Sequence, residues 1–516
     1  MRRTKGFLLK KNEQASEGPS RCLISGRLVS LAFPGSATKE RAESTIGVIL
    51  KAKCNTALGR ALFLSQPSWW SFSAMRRYQL DSLTRRRLIA RAAKTFLGVG
   101  VWPWLTGGSA GGRVLAGEVE SPRAAPRDPT ASAPAESVIY LYMSGGMSHI
   151  DSFDPKPGTD VQGPVANLQT NVPGIAVTEF FPRIAKQIDK LAVINSVSST
   201  QGAHPQGRYF MHTSYFLRGT IVHPELGAYV SHLLPKRNSL LPSNIKIGTG
   251  SADLGGGFLE SRHAALPIGD PETGLQNSQL PDGIEEARFT RRLARLRQMN
   301  SQFQQRYDIK KVRAYSAMYE DAVKLMKSDD LQAFDIRLEQ QPTREKYGAS
   351  TFGQGCLLAR RLIEHGIRFV EVELSGWDTH TDNFDRVAEN GAVLDQSLSA
   401  LLEDLADRGR LPSTLVVVAT EFGRTPEIVA ERNNGRNHYP KAFSCLLAGG
   451  GTLGGAKYGK TDDEGREVVD DPVTIPDFNA TIAHAIGLPL KQEILSPSGR
   501  PFTVAADGQP VLKLFG

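Results

Sequence analysis

Residues 138–143 read Val-Ile-Tyr-Leu-Tyr-Met, an unbroken apolar run with β-branched and aromatic side chains among its members. A run of strand length with no polar face is read as a strand buried on both sides, as in parallel sheets. The next eleven residues are opposite in character. Ser144-Gly145-Gly146-Met147-Ser148-His149-Ile150-Asp151-Ser152-Phe153-Asp154 turns on two glycines and then presents two serines, a histidine and two aspartates. In an open α/β sheet, the edge beyond the carboxyl ends of the strands is where ligands bind. One strand ended by a polar turn is ordinary, so the weight lies in recurrence.

The pattern does recur. Residues 367–374 alternate as a strand and run into Gly376-Trp377-Asp378-Thr379-His380; the apolar stretch 414–419 ends in Thr420-Glu421-Phe422-Gly423-Arg424-Thr425. A strand expected at 191–194 leads to a polar stretch closing at His204, and His204, His212 and His223 crowd into twenty residues, each read as surface or packing. Further strands are expected at 244–248 and 442–448, and helices at 224–234, 352–365, 387–408 and 476–488, the last with Asp477 as an acid in its first turn. Strands alternating with helices predict an α/β fold, a mostly parallel sheet with helices on both faces. Residues 285–334 lack Pro and Gly and are highly charged, predicting a helical insertion over one side of the sheet. Its arginines (Arg288, Arg291, Arg292, Arg295, Arg297) read as a solvated face interleaved with acidic partners, or as an anion-binding face.

Charge divides the chain. Residues 1–116 hold 20 Lys+Arg against 5 Asp+Glu, net +15, whereas the remainder holds 42 against 48, net −6. The basicity belongs to the leader and supplies no argument for a nucleic-acid partner. Thr84-Arg85-Arg86-Arg87-Leu88-Ile89, the apolar run 92–105 and Val114-Leu115-Ala116 have the layout of a twin-arginine export signal, assigned to 75–116. The apolar run is too short to span a membrane as an ordinary helix; the mature chain is expected to hold no transmembrane helix and, once exported, to work in the periplasm or outside the cell. Residues 1–74 read as an upstream extension, disordered or untranslated, 117–136 as a flexible tether, and 137–516 as the folded domain. Cys356 and Cys445 have the apolar surroundings of buried structural cysteines.

Three strand ends thus deliver His149 with Asp151, Asp378 with His380, and Glu421 with Arg424. A mixed carboxylate and imidazole set suits a divalent ion, Zn²⁺, Mn²⁺, Mg²⁺ or Ca²⁺. Two residues apart on an extended segment, Asp378 and His380 point to one side and can share an ion. A second ion about 4 Å away would clamp an in-line displacement at phosphorus or sulfur, with Arg424 and Arg436 on the remaining oxygens. The plainer alternatives are a capped loop for Asp378-x-His380, an ion pair with Arg424 for Glu421, and a satisfied histidine for His438.

The run 144–157, the 376–380 box, 420–426 and Gly435-Arg436-Asn437-His438-Tyr439-Pro440 together resemble a large family of exported bacterial proteins, domain of unknown function 1501, similar in fold to the alkaline phosphatase and sulfatase superfamily. The resemblance spans residues 137–488. The family has no established activity; the superfamily implies an alkaline-phosphatase-like architecture and metal-dependent hydrolysis of phosphate or sulfate esters, of small molecules or saccharides, with one or two ions. On that analogy Asp378 and His380 bind one metal, Glu421 stands where the superfamily has an Asp-His pair, His438 is the late ligand, and the first motif contributes Asp151 or His149. The nucleophile would be Ser148, with residues 198–200 as the alternative, or a metal-bound water. Asn437 replaces the Asp usual before that histidine, and no Cys-x-Pro-x-Arg run is present, which argues against formylglycine chemistry. The competing reading is a non-catalytic cell-surface or polysaccharide-binding protein that keeps the fold.

Overall fold

The computed structural model describes the backbone of residues 21–24 and 27–30, and residues 133–516 apart from 249–254, 277, 279, 281–282, 308–315 and 317–319. The chain divides into two compact units, Met1–Thr84 and Arg85–Gly516. In the first, Arg21–Ile24 and Arg27–Ser30 pair as an antiparallel hairpin. The expected export signal and most of the tether lie outside the described residues.

In the second unit the apolar runs become the strands of one sheet: β1 (Ser137–Ser144), β2 (Leu191–Ser198), β3 (Asn244–Ile247), β4 (Leu266–Ile268), β5 (Phe369–Ser375), β6 (Thr414–Ala419), β7 (Phe443–Ala448), β8 (Lys457–Tyr458) and β9 (Val473–Thr474). Their order is β8-β2-β7-β6-β1-β5-β3-β4, with β9 also on β2. Only β7 runs against its neighbours, β6 and β2. The helices are α1 (His204–Thr213), α2 (Leu226–Leu233), α3 (Glu286–Arg306), α4 (Gln341–Tyr347), α5 (Thr351–Glu364), α6 (Asn383–Asp407) and α7 (Ile475–Ala485).

Strand β1 is buried on both faces because alternate side chains enter different cores. Ile139, Leu141 and Met143 pack with α5 and α6, through Leu357, Leu362, Leu394 and Leu398. Val138, Tyr140 and Tyr142 pack with α1, α2 and α7, through Met211, Tyr229, Phe478 and Ile482. Cys356 and Cys445 are free and buried. Helix α7 opens with a capping box, Thr474 and Asp477 bonding each other's backbone N–H, which gives the expected first-turn acid its role. The expected insertion is helical but interrupted. Helix α3 stops at Arg306, and the Ser328 hydroxyl accepts from the Asp330 N–H to start a separate 3-10 turn, Asp329–Phe334.

Register decides what meets at the edge. Ser144 lies beside Ser375 in the parallel β1–β5 pair, and Tyr142 beside Ala419 in the parallel β1–β6 pair. The chain segments leaving β1, β5 and β6 therefore start side by side, and α1 begins six residues beyond the end of β2 at the same edge.

Candidate metal centre

Two glycines allow the loops to close. The Gly145 backbone has φ +119°, and a Cβ there would fall 2.4 Å from the Asp378 nitrogen. At Gly435 a Cβ would fall 1.8 Å from the His380 carbonyl oxygen. Gly423–Arg424 then pairs antiparallel with His438–Tyr439, setting His438 opposite Arg424. Among the described residues, His204, Asp378 and His438 offer ligand atoms all within 4.8 Å of one another. His380 joins them: its Nε2 is 2.9 Å from His438 Nε2 and 3.3 Å from Asp378 Oδ1, and His438 Nε2 is 3.4 Å from the same oxygen. On the other oxygen, His204 Nε2 lies 3.4 Å from Asp378 Oδ2.

The outer nitrogens fix what the inner ones can be. His204 Nδ1 faces Glu421 Oε1 at 2.8 Å, and His438 Nδ1 faces the Gly202 carbonyl at 2.8 Å; both partners only accept, so both Nδ1 atoms carry the proton. His380 Nδ1 is 3.1 Å from Asn437 Oδ1, which also accepts from Arg432, so this Nδ1 donates too. In the neutral rings all three Nε2 atoms are then lone pairs directed at one carboxylate, two of them at each other. His204 Nε2 is buried without a hydrogen-bond partner. Lone pair against lone pair is repulsive unless a cation lies between, and an imidazole oriented by a bond at its far nitrogen is the usual form of a metal-binding histidine. Bonds of about 2.1 Å in a tetrahedron give ligand separations of about 3.4 Å. The triangle of Asp378 Oδ1, His380 Nε2 and His438 Nε2 is close to that size, so the residues fit a divalent ion.

The surrounding charges prepare these groups. Burial alone would raise the Asp378 carboxyl, but the Arg424 hydrogen bond and charge, with His204 and His380, bring it down to about 2. The hydrogen bond to Glu421 raises His204, while burial lowers His438. Burial would raise Glu421, yet the bond from His204 and that from Tyr142 hold it low. Phe422 is fully buried, its ring 4.9 Å from His204 and 4.7 Å from His438, and backs the two imidazoles, which meet each other edge to face at 4.3 Å.

Several residues expected at the site do other work. Asp151 does not join the group: its oxygens take Arg436 Nε at 2.8 Å and Nη2 at 2.9 Å, plus Asn383 Nδ2 at 2.9 Å, all in the interior. Arg436 also donates to the carbonyls of Val161 and Thr425, so this pair pins the segments bearing the site together and leaves no donor for a substrate oxygen. His149 is buried, with Nε2 2.9 Å from the Gly465 carbonyl, and also stands outside the group. Ser148 is 1% exposed, and its Oγ accepts from the Asp151 N–H. Glu421 is spent behind the cluster, taking the Gly145 N–H, the Tyr142 hydroxyl and His204. Arg424 holds Asp378 Oδ1 at 2.6 Å and donates to the carbonyls of Gly145, Gly146 and Arg436. The residue sequence reasoning passed over is His204; its place just past the polar end of β2 was the signal that could have found it.

A family model described as "Protein of unknown function (DUF1501)" matches residues 135–515. No curated protein matches the sequence. Solved structures similar to this chain include the lipoteichoic acid synthase of Listeria monocytogenes (9% identity, TM-score 0.34, covering 70% of this chain and 74% of that one). Others are a sulfatase from Pseudoalteromonas sp. (11%, 0.35, 74% and 72%) and an alkaline phosphatase from the Antarctic bacterium TAB5 (12%, 0.29, 63% and 94%).

Proposed function

The chain belongs to the DUF1501 family, and within it we propose that this protein is an exported, divalent-metal-dependent hydrolase of phosphate or sulfate esters. The observation that carries the reading is the convergence of three imidazole Nε2 atoms on Asp378, each with its Nδ1 engaged elsewhere. The ester class comes from the motif resemblance, and export from the twin-arginine pattern of residues 84–116. His204, Asp378, His380 and His438 would hold the ion, which when bound supplies Lewis acidity toward an ester oxygen. The chain's own contributions are positional. Glu421 and Tyr142 orient His204, Arg424 keeps Asp378 ionised, and the Phe422 ring packs behind His204 and His438. All four proposed ligands are partly exposed, so a bulky ester such as a saccharide reaches them from solvent. Ser148, buried and engaged, leaves water as the attacking group in this reading.

The test is turnover of aryl phosphate, aryl phosphodiester and aryl sulfate by purified protein supplied with Zn²⁺, Mn²⁺, Mg²⁺ or Ca²⁺. Hydrolysis of one ester class that stops on chelation and is lost in His438→Gln supports the reading. No turnover with a metal-loaded chain points to the binding-protein alternative.

A further inference from the structure

Helix α3 is held to the other described residues by few side chains, Glu286 pairing with Lys327 and Gln304 bonding Ser316. Over 21 residues it buries Leu293 alone, yet it carries six arginines against one glutamate. Arg297 pairs with Glu320 at 2.7 Å, but among the described residues no carboxylate pairs with Arg288, Arg291, Arg292 or Arg295. Residues three and four apart share a helix face. Arg288, Arg292, Arg295, Met299, Phe303 and Arg306 succeed one another at that spacing, and all are exposed. Met299 is 67% exposed and Phe303 51%. Cationic heads and large apolar side chains thus share one outward stripe, while the folded part around it carries a net negative charge.

We propose that this stripe is a docking surface for an anionic lipid membrane, with α3 lying in the plane of the headgroups. Charge complementarity selects an anionic partner, and Met299 and Phe303 select a lipid over a soluble polyanion: they have an acyl boundary to enter in the first case and only water in the second. The guanidinium groups of Arg288, Arg292, Arg295 and Arg306 meet the phosphates, and the two apolar side chains between them enter the boundary. No helix among the described residues is long and apolar enough to cross a membrane, so the contact is peripheral.

The test uses the full chain with vesicles of phosphatidylcholine alone, or of equal parts phosphatidylcholine and phosphatidylglycerol. Because the basic leader is common to every variant, the local readout is amide hydrogen exchange across residues 286–306. Slower exchange there with anionic vesicles and not with neutral ones is expected. Removing three charges in R288Q/R292Q/R295Q should weaken cosedimentation by about a hundred-fold at low salt, at roughly five-fold per arginine. M299S/F303S should weaken it further at high salt, where the charges are screened. Unchanged exchange in α3 with anionic vesicles overturns the proposal. So does dextran sulfate protecting α3 equally well while M299S/F303S leaves vesicle binding intact, which would make the stripe a polyanion site.

Discussion

Glu421 shows how a single side chain is read differently in sequence and in space. Its place at a strand end marked it as a ligand, but its oxygens are consumed by Tyr142, the Gly145 N–H and His204. Glu421→Gln keeps the shape and removes the charge that holds His204 Nδ1. It is expected to weaken metal binding by about 10–100-fold while leaving the fold intact, checked by titrating the metal-free chain with Zn²⁺. Asp151 should fail differently. Asp151→Asn leaves the Arg436 guanidinium buried without its counter-charge, a change expected to cost about 3–5 kcal/mol in urea unfolding. What could be read at this scale was residue type at short spacing, as in Asp378-x-His380. What could not be read was partner choice across hundreds of residues: nothing local says that Asp151 meets Arg436 or that His204 meets Glu421.

At the scale of elements, the site depends on loops that approach within backbone contact. Gly435→Ala would drive a methyl into the His380 carbonyl, so metal affinity is expected to fall even though position 435 is no ligand; titration of the variant beside wild type checks it. The strands and their polar ends were legible because a buried parallel strand has no other way to be written. The separate 3-10 turn at Asp329–Phe334 was less so, since a hydroxyl cap at Ser328 has no periodicity to announce it. The segment after α1 gives a pH prediction. Tyr209 accepts from the His223 N–H and so donates to His223 Nδ1, and burial pushes that imidazole down to about 4 from an ordinary 6.5. The unfolded chain then takes up the proton first. His223's contribution is complete above about pH 6.5 and is lost as pH falls toward 4. Urea midpoints should drop between about pH 7 and pH 5, and His223→Gln should reduce the drop.

At the scale of the whole second unit, the central sheet with a core on each face has an edge at which β1, β5 and β6 release their polar ends and α1 begins. That arrangement, and not any one motif, brings His204, Asp378, His380 and His438 together from segments far apart in the chain. The central claim is tested most directly by the metal content of the purified protein, measured by mass spectrometry after gel filtration and again for Asp378→Asn and His438→Gln. At least one tightly held divalent ion per chain is expected, lost in both variants, with a lower unfolding temperature after chelation. A wild-type chain that takes up no divalent ion and unfolds at the same temperature with or without chelator would contradict it.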